Sequence, residues 1–223
     1  MTDDRGDLKR AAALRAVELV ESGMVVGLGT GSTARHAVEE IGRRMAAGQL
    51  RDIRGVPTSH ATRDLAAASG VPLTSLDRHP TVDLTIDGAD EVDPRGDLIK
   101  GRGGALLWEK IVATASRRLV IVVDPSKMVQ RLGQSRALPV EVVAFGWRVH
   151  ETAVRELGAE PRLRVDERGE PYRTDEGHYI LDCEFPGGIR DANAVSQALR
   201  KRPGIIETGL FLGFKPHVIV GGP

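Results

Sequence analysis

Only one cysteine, Cys183, occurs in the 223 residues. An intrachain disulfide is therefore excluded, disulfide-stapled secreted folds with it, and a reducing compartment is compatible. Net charge is missing too. Thirty-one basic and 31 acidic side chains cancel, and no long like-charge run supplies a local field, which argues against nucleic acid or an anionic membrane as partner. No apolar run approaches the roughly eighteen residues of a membrane span, and Met1-Thr-Asp-Asp-Arg5 carries no apolar signal core. These absences predict a cytoplasmic protein. His36, His60, His79, His150, His178 and His217 show no H-E-x-x-H or similar spacing, so no metal site is expected. Ser59-His60 has no nucleophile elbow around it, which argues against a serine triad. Internal repeats and low-complexity tracts are also lacking.

What is present suits an ordinary globular protein. At 41% hydrophobic residues the chain can bury a substantial core in one or two domains. Apolar spacing predicts helices over 8–22, 34–47, 59–69 and 104–116, with strands at 24–28, 53–57, 72–76, 82–86 and 119–123. Strand and helix alternate, which predicts an α/β fold: a Rossmann-like, mostly parallel sheet flanked by helices. Leu119-Val-Ile-Val-Val123 reads as a strand buried on both faces. From Arg131 the character changes. Helices over 147–157 and 191–201, strands at 162–165 and 179–185, and turn signals at Glu167-Arg-Gly169 and Asp175-Glu-Gly177 predict a second, smaller α+β domain over 131–205. Residues 1–130 and 206–223 would form the catalytic domain, with Gly209-Leu-Phe-Leu212 and His217-Val-Ile-Val220 returning to the first sheet.

Four segments at expected strand ends carry chemistry. Gly27-Leu-Gly-Thr-Gly-Ser-Thr33 lies between a strand and a helix, where backbone N–H groups and the helix dipole favour an anion. It lacks the Gly-Lys-Ser/Thr ending of a P-loop, and Ser32 replaces the third glycine of a dinucleotide fingerprint. A tight βα turn that needs glycine for positive φ is the alternative reading. Asp87 and Asp90, in Asp87-Gly-Ala-Asp90, fall at the carboxyl edge of a parallel strand, where α/β folds place ligands; an Asx-type turn is the alternative. Glu91 and Asp93 read as solvated loop charges. In Leu98-Ile-Lys-Gly-Arg-Gly-Gly104, Lys100 precedes a glycine loop. Glu109, on the helix that follows, shares a stripe with Ala105, Val112 and Ala113, and desolvation there would raise its pKa toward that of a useful base. A surface ion pair with Arg102 or Lys110 is the alternative. Lys127 follows a further strand through Asp124-Pro-Ser126.

In order, these residues resemble ribose-5-phosphate isomerase of the A type. The match runs through Gly27–Ala34, Pro57-Thr-Ser59, Leu84–Glu91, Leu98-Ile-Lys-Gly101, Glu109-Lys-Ile-Val112, Asp124-Pro-Ser-Lys127, Leu138-Pro-Val-Glu-Val142, Tyr179-Ile-Leu-Asp182 and Pro203–Phe211. The resemblance implies interconversion of ribose 5-phosphate and ribulose 5-phosphate through a cis-enediolate, without metal or other cofactor. It implies Glu109 as the base that moves a proton between C2 and C1. Asp87 and Lys100 would assist ring opening and polarise the carbonyl oxygen, and Asp90 would orient sugar hydroxyls. Thr30, Gly31, Ser32, Thr33, Lys127 and the N-terminal Lys9 would hold phosphate and substrate, with Gly88, Ala89, Gly101, Arg102 and Gly103 completing the lining. A small sugar phosphate is the implied partner, and a homodimer or homotetramer the implied assembly, with the second domain as interface. Two departures stand out. Arg102 occupies a position where the family usually has glycine; the change costs about 1 kcal/mol if that backbone needs positive φ, or it adds another phosphate donor. The ending at Gly221-Gly-Pro223 is early, which predicts a shortened terminal strand. Rival readings are another sugar-phosphate isomerase, an amino-sugar phosphate deaminase, or a non-catalytic sugar-phosphate sensor. A sensor in a transcriptional regulator would need a DNA-reading helix pair and would have no need of Glu109.

Overall fold

The computed structural model describes residues 4–222. In chain order the elements are α1 (Asp4–Val17), β1 (Val25–Leu28), α2 (Ala34–Ala46), β2 (Arg54–Pro57), α3 (His60–Ala68), β3 (Leu84–Asp87), β4 (Glu91–Val92), β5 (Leu98–Ile99), α4 (Leu106–Thr114) and β6 (Leu119–Val123). After a 3-10 turn at Pro125–Lys127 come β7 (Leu138–Val142), α5 (Val149–Glu156), β8 (Glu160–Leu163), β9 (Tyr179–Glu184), α6 (Ala192–Arg200), β10 (Ile205–Thr208), β11 (Leu210–Phe211) and β12 (His217–Val220). Two compact units result. One takes in the chain up to Ala89, Trp108–Lys127 and the stretch from Lys215; the other is Asp90–Leu107 with Met128–Phe214.

The first unit is built on a five-stranded sheet of order β12-β6-β3-β1-β2, parallel at every pairing. Strand side chains alternate between faces, and two apolar clusters follow. Val26, Leu28, Leu84, Ile86, Val120 and Val122 pack with Ala12 and Ala16 of α1 and Val38 and Ile41 of α2. Val25, Val56 and Val82 pack instead with Val112 of α4. Helices thus cover both faces, which is why β6 is apolar throughout and buried at all five positions. The strand order also fixes the ligand crevice. The chain leaves β1 toward β2 and leaves β3 toward β6, so the direction of winding reverses between the adjacent strands β1 and β3. In open α/β sheets ligands bind outside the carboxyl ends at such a reversal.

The second unit holds an antiparallel sheet of order β10-β7-β9-β8 and a three-stranded sheet of order β11-β5-β4. Leu138, Val140 and Val142 of β7 and Leu181 and Cys183 of β9 pack with Val154 of α5 and Val195 and Leu199 of α6. Asp191 caps α6 by accepting from the Ala194 N–H at 2.9 Å.

Several sequence expectations are corrected. The stretch 72–76 forms only one bridge, Gly55 to Leu73, and no strand. β11 does not return to the first sheet; it pairs antiparallel with β5, whereas β12 does return, beside β6. β7, whose proline sits within an apolar run, was not anticipated as a strand. Residues 90–107, 128–130 and 206–214, placed by the sequence with the catalytic domain, group with the second unit, where Ile99 and Leu210 are buried in its core.

Candidate active site

The turn after β1 is held by glycine and by hydroxyls. A Cβ on Gly27 would run into Thr85 Oγ1 and lie 2.8 Å from Val112, and one on Gly29 would collide with Asp87, so both positions need the bare backbone. Gly31 has φ +113, which favours glycine. The Thr30 hydroxyl sits 2.8 Å from Thr58 Oγ1, 2.8 Å from Ser59 Oγ and 3.0 Å from Thr62 Oγ1. Ser59 caps α3 by accepting from the Thr62 N–H at 3.0 Å. The hydroxyl-rich ends of β1 and β2 are therefore tied together in one buried cluster.

Asp87 ends β3 directly opposite. It is 1% exposed, and its Oδ1 accepts the N–H of Gly88 at 2.7 Å and of Thr30 at 3.2 Å. The Asx-type element is real, yet it is anchored across the strand reversal and is more than a local turn. At the end of β6, Asp124 is 3% exposed and accepts from the Ser126 N–H at 3.0 Å and from the Ser126 hydroxyl. Burial opposes its ionisation, but those hydrogen bonds and the charges of Lys127 and Lys9 prevail and hold its carboxyl below the ordinary value. Lys9, on α1, donates to Ser32 Oγ at 3.2 Å. Three cation or hydroxyl groups expected to hold an anion, Lys9, Ser32 and Lys127, thus gather around the carboxyl edge of one sheet.

Glu109 lies on α4 and is 4% exposed, flanked by buried Val112 and Ala113. That burial takes Glu109 off the solvated surface. Trp108 beside it meets the His60 ring edge-on at 5.1 Å. Because His60 follows Ser59, this contact sets the Trp108–Glu109 turn of α4 against the same carboxyl edge.

In the second unit, Lys100 is 3% exposed, its N–H bonds the Gly209 carbonyl at 2.9 Å, and its Nζ lies 5.5 Å from the Phe211 ring centre. Gly101 and Gly104 adopt φ +103 and +82. Among the described residues the non-glycine positions with positive φ are Asp52 and Lys215, so Arg102 carries no such strain. Its N–H donates to Asp90 Oδ2 at 2.9 Å. Arg164 donates to the carbonyls of Gly101 at 3.1 Å and Arg102 at 2.9 Å, and Tyr172 donates to that of Gly103 at 3.3 Å. Burial pushes the Tyr172 phenol up.

The comparisons with known proteins agree with this architecture. A family model described as ribose 5-phosphate isomerase A (phosphoriboisomerase A) matches residues 54–223. The chain belongs to the ribose 5-phosphate isomerase A family. It is 51% identical over 215 residues to ribose-5-phosphate isomerase A of Roseiflexus castenholzii, covering 96% of this chain and 92% of that one. It is 50% identical over 221 residues to probable ribose-5-phosphate isomerase 2 of Arabidopsis thaliana, covering 97% and 83%. A solved D-ribose-5-phosphate isomerase in complex with phospho-erythronic acid superposes with TM-score 0.94 at 37% identity, covering 98% and 95%. That of Methanocaldococcus jannaschii superposes with TM-score 0.90 at 39% identity, covering 97% and 95%.

As a ribose-5-phosphate isomerase, the protein interconverts D-ribose 5-phosphate and D-ribulose 5-phosphate. The sensor reading gains no support from these comparisons. Of the residues expected at the site, Lys9, Thr30, Gly31, Ser32, Thr33, Asp87, Gly88, Ala89, Glu109 and Lys127 belong to the first unit, and Asp90, Lys100, Gly101, Arg102 and Gly103 to the second. Sequence reasoning gave Asp124 no role, although its place before Pro-Ser-Lys is legible. It also missed Arg164 and Tyr172, which reach the glycine loop from some sixty residues away or more and leave no local signal. Glu91 and Asp93 are corrected. Both are buried, and Glu91 accepts from the amides of Gly133, Ser135 and Arg136 and from the Ser135 hydroxyl. Asp93 accepts from the Arg95 and Asp97 amides.

Proposed function

We propose that isomerisation proceeds through a cis-enediolate, with Glu109 carrying the proton from C2 to C1. The observation that carries this reading is a carboxylate 4% exposed on the helix set against the carboxyl edge of the sheet. A base must reach a carbon-bound proton out of competition with water, and a buried carboxylate meets that need. Gly31, Ser32, Thr33, Lys9 and Lys127 hold the phosphate, and Thr30 contacts the sugar. Asp87 takes part in ring opening, Asp90 orients hydroxyls, and Lys100 stabilises the developing enediolate oxygen. An ammonium interacts more strongly with that anion than with the neutral carbonyl, which lowers the barrier instead of merely tightening binding. Gly88, Ala89, Gly101, Arg102 and Gly103 complete the lining. The phospho-erythronic acid held by the related isomerase, with both phosphate and acid groups, supports an anion-binding site of this kind. No metal or other cofactor takes part in this scheme. We further propose a cytoplasmic homodimer or homotetramer, with the second unit at the interface. The bacterial relatives support the compartment, and no helix among the described residues is long and apolar enough to cross a membrane.

Incubation with ribose 5-phosphate in heavy water, with chelator present, tests the mechanism. Deuterium should enter the carbon skeleton as ribulose 5-phosphate forms, and Glu109→Gln should slow both by about 10²–10⁴. Undiminished exchange in that variant would rule out Glu109 as the base.

A further inference from the structure

The second unit contains a cavity of about 530 Å³ over its glycine loop; it shares Asp90 and Arg102 with the proposed substrate lining, while Arg136, Arg162, Arg164, Asp182 and Glu184 have no part in the proton-transfer scheme. Arg102, Arg136, Arg162 and Arg164 line it, against the carboxylates of Asp90, Asp182 and Glu184. These charges do not cancel evenly. Arg164 is engaged with both oxygens of Asp182, and Arg162 lies 3.6 Å from Glu184 in an exposed pair. Asp90 already accepts the Arg102 amide. The guanidinium groups of Arg102 and Arg136 are exposed and have no ion-pair partner among the described residues.

We propose that this cavity is a binding site for a small phosphorylated anion, built from residues other than those of the glycine turn after β1. Guanidinium forks match phosphate oxygens in pairs, which suits arginine to this role better than lysine. The volume falls in the range of small-metabolite sites, about 300 to 1,000 Å³. The frame of the cavity is fixed. The loop carrying Arg136 is tied by its backbone to buried Glu91, and Arg164 is locked between Asp182 and the loop carbonyls. An anion gripped by Arg102 and Arg136 therefore bears on the loop that follows Lys100, so occupancy there can tune the isomerase.

Calorimetric titration of the full chain with pyrophosphate tests the site, comparing the unmodified protein with Arg136→Gln/Arg162→Gln. Both side chains are exposed, and neither is part of the proposed catalytic machinery. The unmodified protein should bind pyrophosphate in two classes. The double variant should lose one class, by at least about tenfold in affinity for the loss of charge-assisted hydrogen bonds. Its turnover of ribose 5-phosphate without added pyrophosphate should stay within about twofold. Identical isotherms for the two proteins would overturn the proposal. So would a changed sedimentation coefficient in the double variant, which would assign the arginines to contact between copies of the chain. The binding measurement is independent of the role proposed for Glu109 and can succeed or fail without it.

Discussion

The backbone N–H of Arg102 donates to Asp90 Oδ2 at 2.9 Å, closing the glycine loop from twelve residues upstream. The contact uses only the main chain of Arg102, whose φ is not positive, so the backbone there does not require glycine.

Arg102→Gly should therefore give no relief of strain. It is expected to lower stability by about 0.5–1 kcal/mol, through the added freedom of the unfolded chain. Gly101→Ala should cost more, about 1–3 kcal/mol, because φ there is +103 and a Cβ would stand 2.8 Å from that of Leu106. Urea unfolding of the two variants checks the order.

Glu109→Gln should lower turnover by about 10²–10⁴, the range for a lost general base, while KM changes only a few-fold. Steady-state kinetics separates the outcomes. A raised KM with unchanged kcat would assign Glu109 to binding alone.

Glu91→Ala removes a carboxylate that accepts four hydrogen bonds between 2.5 and 2.8 Å. With buried amides left unpaired, a loss of about 3 kcal/mol is expected. Chemical denaturation should show it.

Glu40 gives a pH signature. Hydrogen bonding from Arg43, with a further contribution from Arg44, outweighs burial and lowers its carboxyl from 4.5 to about 2. A depressed carboxyl stabilises the fold above its unfolded value, and that contribution disappears as pH falls through the folded value. Glu40→Gln should thus be less stable than the parent by about 1 kcal/mol at pH 7. The gap should narrow from pH 4.5 down and close near pH 2, as thermal unfolding across that window would reveal.

The parallel sheet was readable because its signal is local. Leu119–Val123 is apolar at every position, and β6 matches it residue for residue. The glycine turn and Asp87-Gly88 likewise announce themselves as interruptions after apolar runs. β7 was less legible, since Leu138-Pro-Val-Glu-Val142 carries a proline and a glutamate inside a run buried throughout. Its Glu141 is accommodated by Thr174 and His178, at 2.9 and 3.0 Å, partners more than thirty residues away. The same holds for Glu91. Nothing beside it in sequence foretells the three amides that receive it, so a charge next to Asp90 looked like a solvated one.

The hydroxyl cluster around Thr30 has a direction. Thr58 donates its proton to the Leu28 carbonyl at 2.9 Å and Thr62 donates to that of Gly29 at 3.1 Å. Ser59 donates to Thr62, and Thr30 donates to Ser59. Each proton is thus committed inward along a one-way relay, and the Thr30 N–H is committed to Asp87. What Thr30 presents outward is only lone pairs. It can welcome a group that brings its own proton, such as a sugar hydroxyl, and will repel a bare phosphate oxygen. In the site proposed above, the polarity of these four hydroxyls would set which end of the substrate lies beside Thr30.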